Sequence, residues 1–193
     1  WSAYYETRNF ERLENWSYSK GVLTGASATT PAQANHERLL RYHRPMLEDG
    51  SVQYEFFYQP DRFLVHPALD RLAFVLTPQA VRLHWCTDGG FDQTELPPDN
   101  LFEEPQNQIG PRPLPIREND WNQMTISVNG NDVELKLNGV SVFRRKLEMT
   151  NMRRIGLFHF PGQTAARVRN MIWKGDWPET LPDLKTGTHN LSY

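Results

Sequence analysis

Acids at strand spacing are the first residues in this chain with the means to do chemistry. In Glu118-Asn119-Asp120-Trp121-Asn122-Gln123, Glu118 and Asp120 alternate with other residues, and alternate positions of an extended strand share a face. A retaining glycosidase needs two carboxyl groups about 5–5.5 Å apart, which same-face strand positions supply. Both acids precede the strand expected from Asn122, however, and read as its polar lead-in. Glu103-Glu104 is a weaker pair, because neighbouring residues of a strand point to opposite faces. Asp88-Gly89-Gly90-Phe91-Asp92 offers two oxygen ligands, short of a full calcium set, and reads as an Asp/Gly turn. His36, His43, His66, His84 and His159 form no metal-like pair at i, i+4, so zinc would need tertiary convergence. The single cysteine, Cys86, forbids an internal disulfide and any Cys-based zinc site. It sits in the apolar-flanked run VRLHWC and reads as a small buried hydrophobe. No Gly-x-Ser-x-Gly elbow, phosphate loop or dinucleotide fingerprint occurs. The expectation is therefore no catalytic residue, no metal and no cofactor, calcium lacking a full ligand set.

The bulk properties narrow the partners. A net charge of -2, from 21 basic and 23 acidic side chains, gives no bias toward nucleic acid or anionic membranes. Lys20, Lys136, Lys146, Lys174 and Lys185 are the only lysines. The arginines that supply the remaining cations suit bidentate hydrogen bonding to carboxylates, phosphates or sugar hydroxyls, and equally suit surface ion pairs. No apolar run approaches the roughly 20 residues of a membrane span, so no membrane insertion is expected. The 193 residues fit one domain. Beginning at Trp1, the sequence reads as a processed chain or an excised segment of a larger protein, whose other domains would be partners. Two glycosylation tripeptides, at Asn15 and Asn190, matter only in a secretory pathway.

The elements that must position these residues are short strands of period two, ending at Gly, Pro, Asn or Asp. They are expected at Gly21–Gly25, Val52–Gln59, Arg71–Thr77, Val81–Cys86, Asn122–Val128, Val133–Leu137, Val140–Leu147, Arg154–Phe160 and Ala166–Trp173. Asn138-Gly139 signals a type I′ hairpin, both residues tolerating positive φ. That turn pairs Leu137 with Val140 and Leu135 with Val142, leaving Glu134, Lys136 and Ser141 on the other face. Asn129-Gly130-Asn131-Asp132 joins the hairpin to the strand before it. The run TTPAQANHERLLRY has helix-start features at Thr30, Pro31 and Gln33. A strand through Glu37–His43 is an equal alternative, because Leu39 and Leu40 serve either period. Six prolines between Leu96 and Ile116 exclude a central strand there, leaving a functional loop or an extended strip over a sheet edge. Residues 174–193 read as an irregular C-terminal arm.

Trp121, the run DVELKLNGVSVF, then RRIGLFHF and ARVRNMIWKG, with NWSYSKGVLTG and SVQYEFFYQPD before them, carry a resemblance. The chain resembles the concanavalin A-like lectin/glucanase jelly rolls, especially an uncharacterised bacterial family related to laminin-G-like and keto-disaccharide hydrolase domains. The resemblance spans most of the chain apart from Thr30–Gly50 and the proline-rich loop. It implies an all-β, two-sheet antiparallel jelly-roll sandwich with at most one or two short helices. It also implies an extracytoplasmic, cell-surface setting and a glycan partner. The glucanases of that superfamily carry a Glu-x-Asp-x-x-Glu strand. Here Gln123 stands in the last acid's place, and an amide cannot act as general acid or ionised base.

The function expected on this footing is a non-catalytic carbohydrate-binding or adhesion module, with a glycoside-processing hydrolase or a structural spacer as alternatives. Sugars are held by aromatic faces and planar polar groups. The ligand-binding candidates are Arg167 and Arg169, which alternate with Ala166 and Val168; Arg82 and His84, with Trp85 opposite; and Tyr54 and Tyr58, which share a side with Phe56. The aromatics serve equally well as core, and the arginine pair either lines a polar face or pairs with Glu134 and Glu55 across strands.

Overall fold

A computed structural model describes residues 1–3, 15–30, 37–47, 49–87 and 100–180. Within them lie β1 (Ser2–Ala3), β2 (Trp16–Ser19), β3 (Val22–Gly25), β4 (Arg38–Arg41), β5 (Gly50–Tyr58), β6 (His66–Leu69) and β7 (Leu72–Leu76). After these come β8 (Val81–Trp85), β9 (Leu101–Glu103), β10 (Asp120–Asn129), β11 (Asp132–Leu137), β12 (Val140–Lys146), β13 (Ile155–His159) and β14 (Ala166–Gly175). They form two seven-stranded antiparallel sheets: β1-β4-β13-β6-β7-β8-β9, here sheet one, and β12-β11-β10-β5-β14-β3-β2, sheet two. The chain passes repeatedly from one sheet to the other, giving a jelly-roll sandwich. One 3-10 turn, Pro105–Asn107, is the only helical element that lies wholly within the described residues.

The two sheets bury their faces differently, and the sequence pattern is the cause. β5 and β10 alternate buried and part-exposed positions, as strands with one wet face do. Val52, Tyr54, Phe56 and Tyr58 point inward with Met124, Ile126 and Val128, to meet Leu72, Phe74, Leu76, Leu83, Ile155 and Leu157 of sheet one. β6, β7 and β13 are buried at every position, as continuous apolar runs such as LAFVL require. Sheet one therefore carries a second apolar cluster on its outer side: Leu39, Ala68, Ala73, Val75, Cys86 and Phe158.

That double burial resolves the helix-or-strand alternative. Arg38–Arg41 is a strand, in which Leu40 joins the main core and Leu39 the outer cluster; residues 31–36 lie outside the described set. Two successive leucines are needed because both faces are dry, which erases the alternation that would have marked a strand.

All nine expected strands are present, with ends shifted by a few residues. The hairpin turns at Asn138 and Gly139, with φ of 51° and 82°, and Leu137 faces Val140 as expected. Leu135, however, faces Phe143 rather than Val142. A bulge absorbs one residue there, and Val142 and Phe143 are buried side by side before Arg144 emerges opposite Glu134. The proline-rich segment contributes β9 at the edge of sheet one, then bridges through Gln108 to Phe143 at the edge of sheet two. It is thus a strip over two sheet edges, as one of its two readings had it. The irregular arm expected from Lys174 begins later, because β14 runs to Gly175; residues 181–193 lie outside the described set.

Two predictions concern this core. The Tyr54 hydroxyl is fully buried without a hydrogen-bond partner among the described residues, and burial pushes its ionisation far up. An unpaired buried hydroxyl costs free energy, so Tyr54→Phe should leave the free energy of urea unfolding unchanged or raise it, by up to about 1 kcal/mol; a clear loss would contradict this. Burial also pushes His66 down to about 3, helped by His159 and His84, and His159 to about 4, helped by Arg38. Both are neutral when folded, whereas the unfolded chain takes up protons near the usual value of about 6.5. Their contribution is complete above that pH and falls as pH drops toward the folded values, by about 1.4 kcal/mol per unit each. Unfolding free energies at pH 7 and 5 should show this slope, and His66→Gln should reduce it by about that amount.

Candidate functional site

Inward burial of the even-numbered residues of β5 and β10 forces the odd ones onto the outer face of sheet two. Ser51, Gln53, Glu55 and Phe57 stand there opposite Ser127, Thr125, Gln123 and Trp121, with Arg169 of β14 opposite Glu55 on its other side. The face is polar along most of its length and aromatic at one end, where two large rings stand in otherwise polar rows.

Trp121 meets Phe57 edge to face at 5.5 Å, and Phe57 meets Phe63 at 5.9 Å. Arg169 lies 4.0 Å above the Trp121 ring. Arg167 lies 5.1, 5.3 and 5.5 Å from the Phe57, Phe63 and Trp121 rings. A guanidinium over an aromatic face gains about 0.5–1 kcal/mol at exposed sites and keeps its N–H edge free to donate. Arg169 Nε donates to Glu55 Oε2 at 2.6 Å. Asn170, with φ of 53° at a bulge in β14, donates to the same oxygen at 3.2 Å. Arg167 makes no ion pair among the described residues.

One fully buried polar side chain anchors the approach to Trp121. Asn122 Oδ1 accepts from the Arg117 amide at 2.7 Å and from Asn138 Nδ2 at 2.8 Å. Its Nδ2 donates to the carbonyls of Arg117 and Asp120 at 2.8 and 3.1 Å. Asn138 also donates to Pro115 O at 2.7 Å and accepts from the Gln123 amide at 2.9 Å. The hairpin turn is therefore tied to the end of the proline-rich segment, and Arg117 and Asp120 are placed beside Trp121. Glu55, Arg117, Asp120, Trp121, Gln123 and Arg169 line a depression of about 250 Å³. A neighbouring one of about 600 Å³, between Pro115, Ile116 and Asn138, shares Arg117 and Gln123.

The six residues expected to bind ligand do not form one site. Arg167 and Arg169 share the face, and Glu55 is the cross-strand partner of Arg169; Glu134 is engaged instead by Ser141, Arg144 and Lys136. Tyr54 and Tyr58 point into the core, at 0% and 6% exposure, because they share the parity of Val52 and Phe56; they are not ligand groups of this face. Arg82 and His84 are on sheet one. Arg82 pairs with Glu103 at 2.8 Å, and His84 is buried. Of the paired acids, Asp120 lines the depression and Glu118 does not, while Glu104 pairs with Arg145 at 3.6 Å. The Asp88–Asp92 turn lies outside the described residues. Trp121, Phe57, Phe63, Glu55 and Gln123 share this end of the face and were not among the ligand-binding candidates. Their signal was parity: Trp121 and Phe57 are large aromatics in rows otherwise made of Gln, Glu, Ser and Thr.

Residues 31–180 match the model of a family described as a domain of unknown function, DUF1583_N. The chain belongs to that family. No curated protein matches it in sequence. Among solved structures it is similar to carbohydrate binding module CBM66 from Bacillus subtilis, with 11% identity, a TM-score of 0.55, and coverage of 83% of this chain and 91% of that one. It is also similar to a sialidase, at 12% identity and a TM-score of 0.52, over 83% of this chain but 16% of that one. At these identities the likeness carries the fold alone, a concanavalin A-like two-sheet jelly-roll sandwich.

Asn122 carries the local geometry of the site. Asn122→Ala would leave two backbone carbonyls, a backbone amide and an amide side chain without this partner, each costing about 1–3 kcal/mol if left unsatisfied. A total loss of about 2–4 kcal/mol in urea unfolding is expected, after partial rehydration. A loss below about 0.5 kcal/mol, the range of ordinary surface changes, would remove Asn122 from that role.

Proposed function

We propose that this domain is a non-catalytic carbohydrate-binding module of a larger extracytoplasmic bacterial protein, and that it holds glycan on the outer face of sheet two. The observation that carries the reading is the part-exposed Trp121, braced by Phe57 and capped by Arg169 at 4.0 Å, at one end of a polar sheet face. A sugar has apolar C–H faces that pack on aromatic surface and hydroxyls that need planar donors and acceptors. Here the ring cluster supplies the first, and Arg167, Arg169, Gln123 and Glu55 the second. The likeness to a carbohydrate binding module, over 91% of that module, is in keeping with this.

A hydrolase reading has one observation in its favour: Glu55 and Asp120 line the same depression. Against it, Glu55 is held by Arg169 and Asn170. Asp120 accepts from the Trp121 amide at 2.7 Å and lies 3.5 Å from Arg117. Both carboxylates are thus engaged by donors of the chain itself, whereas a catalytic pair must present its oxygens to the substrate.

The test is a glycan array with hydrolysis products assayed in parallel. Binding without products is expected. On the best glycan, Trp121→Ala and the double substitution Arg167→Ala/Arg169→Ala should each weaken binding by about tenfold or more, the effect of losing an anchor worth about 1.4 kcal/mol or above. The arginine double variant should keep its thermal midpoint within a few degrees, since an exposed pair such as Arg169–Glu55 contributes about 0–1 kcal/mol. Unchanged affinity in both variants would refute the site. Products that vanish in Glu55→Gln would establish the hydrolase instead.

A further inference from the structure

On the opposite sheet, far from the proposed glycan face in the strand order, three ligating side chains meet. β8 directs His84 outward, and Cys86 follows at the same parity. Glu37, which immediately precedes β4, reaches over the outer cluster to them. One ring nitrogen of His84, Cys86 Sγ and a Glu37 carboxylate oxygen all lie within 4.8 Å of one another. Cys86 is fully buried, and the His84 side chain is 1% exposed. We propose that Glu37, His84 and Cys86 form a metal site that takes a zinc-class divalent ion.

The hydrogen bonds around His84 carry the argument. Its Nδ1 lies 2.8 Å from the Asn100 carbonyl oxygen, which can only accept, so Nδ1 holds a proton. Asn100 is itself fixed to both backbone groups of Trp85: its Oδ1 accepts from the amide at 2.8 Å and its Nδ2 donates to the carbonyl at 3.0 Å. A ligating histidine characteristically donates its second ring N–H to a carbonyl or carboxylate in this way, which fixes the tautomer and aims the other nitrogen. The aimed atom, Nε2, makes a short contact with Glu37 Oε1. Two acceptors facing each other require a positive charge or a proton between them. A divalent cation supplies that charge and draws in the adjacent thiol.

The donor set selects the ion. Imidazole nitrogen, thiolate sulfur and carboxylate oxygen together suit zinc, whose bonds of about 2.0–2.3 Å place tetrahedral ligand atoms about 3.3–3.8 Å apart. Atoms already within 4.8 Å reach that geometry by small side-chain rotations. Charge closes as well, because a dication with one thiolate and one carboxylate is neutral, the state a buried site tolerates best. On binding, the Cys86 thiol loses its proton to solvent, as does Nε2 if protonated, and no electrons move. Phe158 and Phe160, at 5.3 and 5.6 Å from the His84 ring, supply the apolar shell. The same contacts exclude a nucleophilic Cys–His pair, since both ring nitrogens are already engaged and neither is left to take the thiol proton. The expectation that a single cysteine forbids any Cys-based zinc site is too broad: one cysteine excludes a site built from several, but not this mixed set.

The ion would clip the segment before β4 to the end of β8, two parts of sheet one that are separated by β13, β6 and β7 in the strand order. The test uses the whole chain, freed of metal and titrated with Co²⁺ alone. Because Cys86 is the chain's single thiol, a thiolate-to-cobalt charge-transfer band in the unmodified protein reports this site without any substitution. One equivalent of Co²⁺ should produce the band, Zn²⁺ should abolish it by displacement, and Zn²⁺ should raise the thermal midpoint by several degrees. Cys86→Ser should lose the band, and Glu37→Gln and His84→Gln should weaken Co²⁺ affinity at least tenfold. If any of these variants fails to fold, the unmodified protein's spectrum still decides. Absence of the band at saturating Co²⁺, or cobalt bound without it, would overturn the proposal.

Discussion

Pleat parity on the central pair β5 and β10 is the constraint on which the rest of the structure depends. With Val52, Tyr54, Phe56 and Tyr58 opposite Ile126, Met124, Asn122 and Asp120, the inner positions between Val52 and Phe56 are completely buried. At about 25 cal/mol per Å² of apolar surface, each large side chain there contributes about 1.5–3 kcal/mol. A one-residue slip would exchange that row for Gln53, Glu55 and Phe57. The register is therefore held by many kilocalories of burial, and the outer face inherits its composition from it. Glu55 meets Arg169, and Trp121 stands over Phe57, because those are the positions left when the core has been filled.

Polar groups inside this sandwich mark where the fold departs from simple filling. Asn122 occupies an inward position where β10 otherwise has Met124, Ile126 and Val128, and all its hydrogen-bonding capacity goes into fixing the segment that delivers Arg117 and Asp120. His84 plays a comparable part on sheet one, with Asn100 and Glu37 at its two nitrogens. His66 accepts from the Leu76 amide at 3.1 Å, a local structural role. Buried polar groups with partners on separate segments join parts of the chain that apolar packing would leave free to slide. The two sheets thus use the same device for different ends: one to hold an open face in shape, the other to gather ligating atoms beneath a dry surface.

Much of this was readable from the residues. The alternation in QMTISV marked a strand with one wet face and Asn138-Gly139 placed its turn, whereas LAFVL was expected as one more period-two strand and is buried at every position. The Leu39-Leu40 strand was ambiguous because double-sided burial removes periodicity, and the bulge at Val142 was invisible because both of its neighbours in the pattern are apolar. The arginine pair was legible from its alternation with Ala166 and Val168. Grouping it with Tyr54 and His84 failed because sequence shows which positions share a strand face but not which sheet receives the strand, or which of its faces turns inward. Trp121 was noticed as a mark of the fold and not as a residue of this outer face, although its parity with Gln123 and Thr125 already set it outside the core. The meeting of Glu37 with His84 and Cys86 depends on contacts over 47 residues of chain, which no local pattern encodes.

The account's central claim is that the outer face of sheet two, at its aromatic end, is where ligand is held. Backbone and indole NMR shifts of the labelled protein, followed through titration with the best glycan from the array, test this most directly. Saturable changes should concentrate at Trp121, Phe57, Gln123, Arg167 and Arg169, with the β7–β8 region unmoved. Changes confined to sheet one, or to the edge strip around Leu101–Gln108, would contradict the account.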